Sequence, residues 1–391
     1  MMNRNNRIYL DYAATTPLAD EVIEAMMPYF QKEFGNPSSL HRFGQRAEGA
    51  LEEARMTIAS HLNCSDEEIV FTSGGTESDN LALRGCAFAR REQVGANHLL
   101  ISAVEHHAVS HTAEDLARHF GYEVEILDVD SQGMVSPQIV QNHIRPNTAL
   151  VSIIYANNEI GSINPISEIG KICRERGVPF HTDAVQATAY LSLDVEALNV
   201  DLLSLGAHKF YGPKGIGALY VRKGTPILSC QTGGGQEWGL RSGTQNIPYI
   251  VGMSTALKFV QRNQVTWMTS LAHLRDWLIE QVLNRVPQSR LTGHPTQRLP
   301  NHASFVFKGV HSQKLIALLD AEGFACSSGS ACKTGNPSPS EVLLSMGIEP
   351  ELALSSLRVT LGKDTKLEHL ESFVDCLVEK VLLLRGSVDL P

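Results

Sequence analysis

Four short stretches carry residue types that could do chemistry. Lys209, in LGAHKFYGPKG, follows an apolar run, has a histidine beside it and precedes a glycine-proline turn. A lysine near a core is costly unless its charge is suppressed or used. It is therefore either a strand-end lysine reaching solvent or a reactive amine. Asp183 closes another apolar run in HTDAVQ. It fits an ordinary helix N-cap, or a carboxylate paired with a protonated ring nitrogen such as the pyridinium of pyridoxal phosphate. Asp183 and Lys209 lie 26 residues apart, one strand–helix–strand step that would bring both to the same sheet edge. In TSGGTESDN, residues 72–80, two glycines between a strand and a helix could turn backbone N–H groups toward an anion, although most Gly-Gly pairs are only turns. Cys332, in SSGSACK, sits in a polar stretch beside Lys333, a setting that favours thiolate over an inert buried thiol. Cys326, nearer a strand-like run, reads as structural.

These residues need a frame. From about 68 to 224 the chain alternates short apolar runs with amphipathic stretches. The runs EEIVFTS, HLLISAVEH, ALVSIIYAN, VPFHTDAV, DLLSLGAHK and GALYVRK have the length and composition of buried strands. Residues 44–62 put Ala47, Leu51, Ala54, Ile58 and Leu62 on one helical face. Such alternation predicts an α/β domain with a largely parallel sheet, whose ligands lie beyond the carboxyl ends of the strands. The polar clusters TSGGTESDN, EHHAVS, ANNEIG, HTDAVQ and AHKFYG fall at those ends. Beyond residue 263 come a helix pattern at 265–286, a strand HASFVFKG, a helix at 311–322, a strand SLRVTLG and a last helix at about 366–386. This reads as a small α+β domain. The stretch 327–340 has ten Ser, Gly, Pro or Asn residues in fourteen, so little to bury that a mobile loop is expected.

Composition narrows the function. The 391 residues are 43% hydrophobic and 19% charged, enough apolar mass for a sizeable core and too much for disorder. With 33 basic against 42 acidic residues the net charge is −9, which argues against nucleic acid or an anionic membrane as partner. No apolar run approaches the roughly 18 residues of a membrane span, and the polar start lacks a signal-peptide core. Seven scattered cysteines (64, 86, 173, 230, 326, 332, 376) form no disulfide framework and no CxxC pair, as expected of a reduced, cytoplasmic protein without a metal site.

Taken in order, YLDYAATTP, FGNPSSLHRFG, FTSGGTESDN, EHHAV, NNEIG, HTDAVQ, AHKFYGPKGIGALYVR, RSGT, SSGSAC and SLRVTLG resemble the cysteine desulfurases of the NifS/IscS type. The resemblance runs over nearly the whole chain and implies a fold-type I, aspartate aminotransferase-like pyridoxal-phosphate enzyme. It implies a large α/β domain at 16–262 and a small domain made of 1–15 and 263–391. By that likeness Lys209 matches the lysine that carries pyridoxal 5'-phosphate, Asp183 the partner of its ring nitrogen and Gln186 that of its ring oxygen. His106 matches the histidine stacked on the ring, which also moves protons. Gly75, Thr76 and His208 fall at phosphate positions, and Thr244 at a phosphate contact made across a homodimer. Asn158 and Arg358 match the groups that hold the substrate carboxylate, and Cys332 the nucleophile. The implied reaction converts L-cysteine to L-alanine and leaves a persulfide on Cys332, for a sulfur acceptor protein in iron–sulfur assembly or other sulfur transfer.

Three positions depart from the family pattern. Gly206 stands where a serine often helps to hold the phosphate, Trp238 where arginine is frequent, and Lys333 where a small residue follows the nucleophile. A selenocysteine lyase or another class V enzyme shares the cofactor residues. A non-catalytic regulatory homologue would not need Lys209, Asp183, His106 and Cys332 together.

Overall fold

The computed structural model describes residues 7–329 and 338–386. Its main sheet is built from Ile69–Thr72, His98–Ser102, Glu123–Leu127, Thr148–Ser152, Phe180–Asp183, Leu202–Gly206 and Gly217–Val221. Across the sheet the order is 69–72, 217–221, 202–206, 180–183, 148–152, 98–102, 123–127. Gly217–Val221 runs antiparallel to both neighbours, and the remaining pairings are parallel. The sheet is therefore mixed and mainly parallel, as expected. Six of its strands coincide with the apolar runs, because strands covered by helices on both faces bury every residue. The one strand without such a run, Glu123–Leu127, forms the edge. Its residues are mostly exposed or half-buried, and its glutamates break the apolar run.

The helix Arg42–Leu62 buries Ala47, Leu51, Ala54, Ile58 and Leu62, and ends where Asn63 turns left-handed at φ 58°. After the first sheet strand the chain enters a helical run at Gly75 that reaches Val94, with a π-helical segment at Leu81–Gly85. Such widened turns concentrate near functional sites.

The longest helix spans Ile247–Arg285, starting 18 residues earlier than the expected 265 and running through residue 262. Its first half is packed by the helices Asp20–Gln31 and Arg42–Leu62. Ile250, Met253, Leu257 and Val260 recur there at spacings of three and four and are buried as one helical stripe, and the small residues Gly252, Ser254 and Ala256 beside it are buried as well. A second sheet pairs Ser289–Leu291, His302–Phe307 and Leu357–Thr360 antiparallel. The helices Ser312–Ala321 and Leu367–Gly386 pack against each other nearby.

The N-terminal segment ties the two sheets together. Ile8–Tyr9 pairs parallel with Phe324–Ala325, the Ala13 N–H donates to Thr360 Oγ1 of the second sheet at 2.9 Å, and the Thr16 N–H donates to the His208 carbonyl beyond a main-sheet strand at 2.9 Å. Tyr211, fully buried, meets Tyr12, Phe259 and Trp267 at ring centroid distances of 5.3–6.4 Å. Aromatic pairs of this kind contribute about 0.5–1.5 kcal/mol each beyond their buried area. Among the described residues no helix is long and apolar enough to cross a membrane.

Candidate active site

The strand Phe180–Asp183 delivers Asp183 to the carboxyl edge of the main sheet, where it is buried and its Oδ1 accepts the Val185 N–H at 2.9 Å. Burial pushes this carboxyl up, while His106, the Val185 amide and Lys209 oppose the shift. The neighbouring strand Leu202–Gly206 breaks into a single tight turn, Ala207–Lys209, that sets Lys209 beside it. The Lys209 Nζ donates to the carbonyls of Ala13 at 2.6 Å and Ala14 at 2.7 Å. Its ammonium is pushed down to about 8, mainly by burial and then by Arg358, against Asp11 and Asp183. Two neutral carbonyls orient the amine without neutralising it. Gln186 Nε2 donates to the same Ala13 carbonyl at 2.8 Å, so the N-terminal segment organises both side chains.

The helical run starting at Gly75 supplies backbone N–H groups that no preceding turn can satisfy. A Cβ on Gly75 would lie 2.7 Å from Val185 Cγ2, so only glycine lets this helix start pack against the HTDAVQ turn. Gly206 faces the same start: a Cβ there would sit 3.4 Å from the Gly75 nitrogen. Thr76 and His208 complete this wall. His208 Nδ1 lies 3.2 Å from Thr15 Oγ1, and its imidazole is pushed down to about 4 by burial and the nearby lysines.

His106 caps the helix His107–Phe120 with Nδ1 accepting the Ala108 N–H at 3.1 Å. That bond leaves Nε2 as the nitrogen available to the cavity. The ring opens to solvent on the cavity side, yet the protein packed around it lowers its pKa, chiefly by desolvation. From the second sheet, Leu357–Thr360 brings in Arg358. Its Nη2 pairs with Asp11 Oδ1 at 2.9 Å, its Nη1 donates to the Asn158 carbonyl at 2.8 Å, and its buried Nε has no hydrogen-bond partner among the described residues.

One cavity of about 580 Å³ is lined by Gly75, Thr76, His106, Asn158, Asp183, Gln186, His208, Lys209 and Arg358. Of the other expected site residues, one is described and does not line it. Thr244 is exposed, just ahead of the helix Ile247–Arg285. Cys332, with Lys333, lies outside the described residues, but Ser327–Gly329 before it and Ser338–Pro339 after it border the cavity. Trp238 is also off the wall. It covers the Arg55 guanidinium at 4.4 Å from its ring centroid, above a two-bond ion pair of Arg55 with Glu237 at 2.8 and 2.9 Å.

Residues not singled out from the sequence also belong here. Asp11 holds Arg358, and Ala13 and Ala14 hold Lys209 through carbonyls that no residue-type argument can find. Two buried acids, Asp79 and Glu105, also line the cavity. Glu105 Oε1 accepts from Ser102 Oγ and the Ile154 N–H, and burial pushes its carboxyl up to about 8. The usable signals were an acid three residues after Thr76 and an acid directly before His106.

The aminotransferase class-V family model matches residues 8–373. A cysteine desulfurase IscS of Methanosarcina thermophila is 46% identical over 382 residues, covering 98% of this chain and 94% of that protein. Among solved structures, a NifS-like protein superposes with a TM-score of 0.90 at 34% identity, over 97% of this chain and 100% of its own. The solved complex of SspA with cysteine matches with a TM-score of 0.79 at 36% identity, over 91% of this chain and 99% of its own.

Proposed function

The chain belongs to the aminotransferase class-V family, and from that premise we propose that it is a cysteine desulfurase. It would use pyridoxal 5'-phosphate to take the sulfur of L-cysteine, with Cys332 as acceptor. The observation that carries this reading is the meeting, in one cavity, of an amine with lowered pKa, a buried carboxylate, a glycine-lined helix start and an arginine. These donors fit the cofactor. The space beside Gly75 and Gly206 suits a phosphate, Asp183 suits a cationic ring nitrogen, and Lys209 suits an aldehyde. When bound, pyridoxal phosphate supplies an aldehyde that condenses with amines and a ring that accepts electrons from the substrate α-carbon.

The chain's own residues do the remainder. Gly75 and Thr76 amides with His208 would hold the phosphate, and Gln186 the ring oxygen. Thr244, exposed in one subunit, would complete the phosphate site of a second copy. Arg358 and Asn158 would fix the substrate carboxylate, in the manner of a guanidinium–carboxylate fork. Lys209 Nζ and His106 Nε2 then hold and move the protons at the α- and β-carbons. The Cys332 thiolate attacks the substrate sulfur. An S–S bond forms as the C–S bond breaks, the carbon takes a proton to leave L-alanine, and an acceptor protein removes the outer sulfur.

Residues 16–262 would hold the cofactor, and 1–15 with 263–391 would bring Arg358 and Cys332 to it. The homodimer is supported by exposed Met27, Phe30, Phe34, Leu40 and Phe43, an apolar group that water penalises unless it is covered. The six described cysteines are all free, which suits a reducing cytoplasm.

The test is alanine and sulfide formed from L-cysteine by protein saturated with pyridoxal phosphate, with a thiol reductant present. Equal amounts are expected. Cys332→Ser should keep the cofactor's visible absorption and lose both products. No alanine from a fully loaded wild-type chain would defeat the reading.

A further inference from the structure

We propose that Asp79 is a positioning residue of this site: it stands behind Asp183 as a neutral carboxylic acid, leaving Asp183 to carry the single negative charge of the pair. Its role toward the ring nitrogen rests on the cofactor reading above; its protonation state does not.

Asp79 is 1% exposed on the first turns of the helical run, and one of its carboxylate oxygens lies within 4.8 Å of an Asp183 oxygen and a His106 nitrogen. Two buried carboxylates at this separation cannot both be ionised without a cation between them. The groups facing the pair decide which one keeps the charge. His106 and Lys209 favour the charged form of Asp183, which also accepts the Val185 N–H. Asp79 faces Asp183, Glu105, Ser204 and His181, and a His106 nitrogen stands within 4.8 Å of both carboxylates. Of these only His106 could carry a positive charge; desolvation lowers its pKa, and its charge interaction is with Asp183. His181 is fully buried, bonded through Nδ1 to Ser152 Oγ at 2.8 Å and through Nε2 to Ser204 Oγ at 3.0 Å, and burial pushes it down to about 3. Asp79 Oδ1 lies 3.6 Å from that Nε2 and has no hydrogen-bond partner among the described residues, an arrangement that leaves a carboxylate charge uncompensated. Desolvation, Asp183 and Glu105 all push the Asp79 carboxyl upward, with only Ser204 opposing. A second negative charge behind Asp183 would disturb the balance that Asp183 holds with its cations. A proton on Asp79 removes it.

The experiment compares the full chain with Asp79→Asn, which copies the neutral acid's shape, and Asp79→Leu, which keeps the bulk without polarity. In the cofactor-free chain, infrared spectroscopy near neutral pH reads the carbonyl band of neutral carboxylic acids. Asp79→Asn is expected to remove part of that band. In the same variant, pyridoxal-phosphate Kd should stay within about twofold and the pH midpoint of the bound cofactor's visible absorption should not move. Asp79→Leu should weaken cofactor binding roughly tenfold or more and move that midpoint, because it puts an apolar side chain where a polar one faces the buried Asp183 carboxylate. An unchanged infrared band in Asp79→Asn, a midpoint moved by about a unit in that variant, or a Leu variant equal to wild type would each overturn the proposal. If Asp79→Leu does not fold, the infrared and Asn results decide alone. A wild-type chain that binds no cofactor would defeat the functional reading while the infrared comparison still decides where the proton sits.

Discussion

Gly206→Ser should make the cofactor bind more tightly. Gly206 is extended, at φ −140° and ψ 113°, so a side chain adds no backbone strain. A Cβ there would meet Gly75 N and Val185 Cγ1 at 3.4 Å and Val185 Cγ2 at 3.6 Å, which is ordinary contact. The serine hydroxyl would then lie one bond further on, at the helix start assigned to the phosphate. A hydrogen bond to a charged group contributes about 1.5–3 kcal/mol. Fixing the rotamer and desolvating the hydroxyl offset part of it, so a net gain near 1.4 kcal/mol, or about tenfold in Kd, is the working figure. Gly206→Ala is the control, since it adds the same Cβ and the same loss of unfolded-state freedom without a donor. The assay titrates cofactor-free protein with pyridoxal phosphate and follows visible absorption. Equal Kd values for the Ser and Ala variants would refute the placement of the phosphate beside Gly206.

Three further outcomes follow from the same geometry. Because burial lowers the Lys209 ammonium to about 8, neutral amine becomes more abundant as pH rises toward that value. The rate of cofactor capture should therefore climb up to about tenfold per pH unit below 8 and level off above it, and a midpoint near 10 would show that the lysine is not buried as described. Arg358→Lys replaces a planar fork with a point charge and frees Asp11 and the Asn158 carbonyl. KM for L-cysteine should rise at least about tenfold with a smaller change in kcat, and an unchanged KM would remove Arg358 from substrate binding. Glu237→Gln discharges the partner of a guanidinium whose side chain is only 8% exposed. Denaturant or thermal unfolding should show a loss of about 3 kcal/mol, while KM stays unchanged because Glu237 does not line the cavity.

Lys209 and Asp183 could be singled out by residue type because each stands at the end of a strand that buries all its residues, and an unbroken apolar run is a signal that survives without neighbours; His106 came from the family resemblance. The edge strand Glu123–Leu127 and the first half of the helix Ile247–Arg285 could not. The strand buries too little to show an apolar run, whereas the helix carries its period in Ile250, Met253, Leu257 and Val260 but buries small Gly252, Ser254 and Ala256 beside that stripe in place of a polar face. Arg358 is the instructive middle case. Its strand was legible, but the bonds that aim its guanidinium come from Asp11, 347 residues away, and from the Asn158 backbone, 200 residues away. The amine of Lys209 is aimed in the same way, by carbonyls of Ala13 and Ala14, residues whose type says nothing about chemistry. Side-chain identity thus announces which groups can react, while their direction and charge are set by partners brought in by the N-terminal crossing. The same holds for Asp79. In the sequence it is one acid among 42 acidic residues, and it becomes informative only when folding buries it against Asp183 with its Oδ1 unpartnered among the described residues.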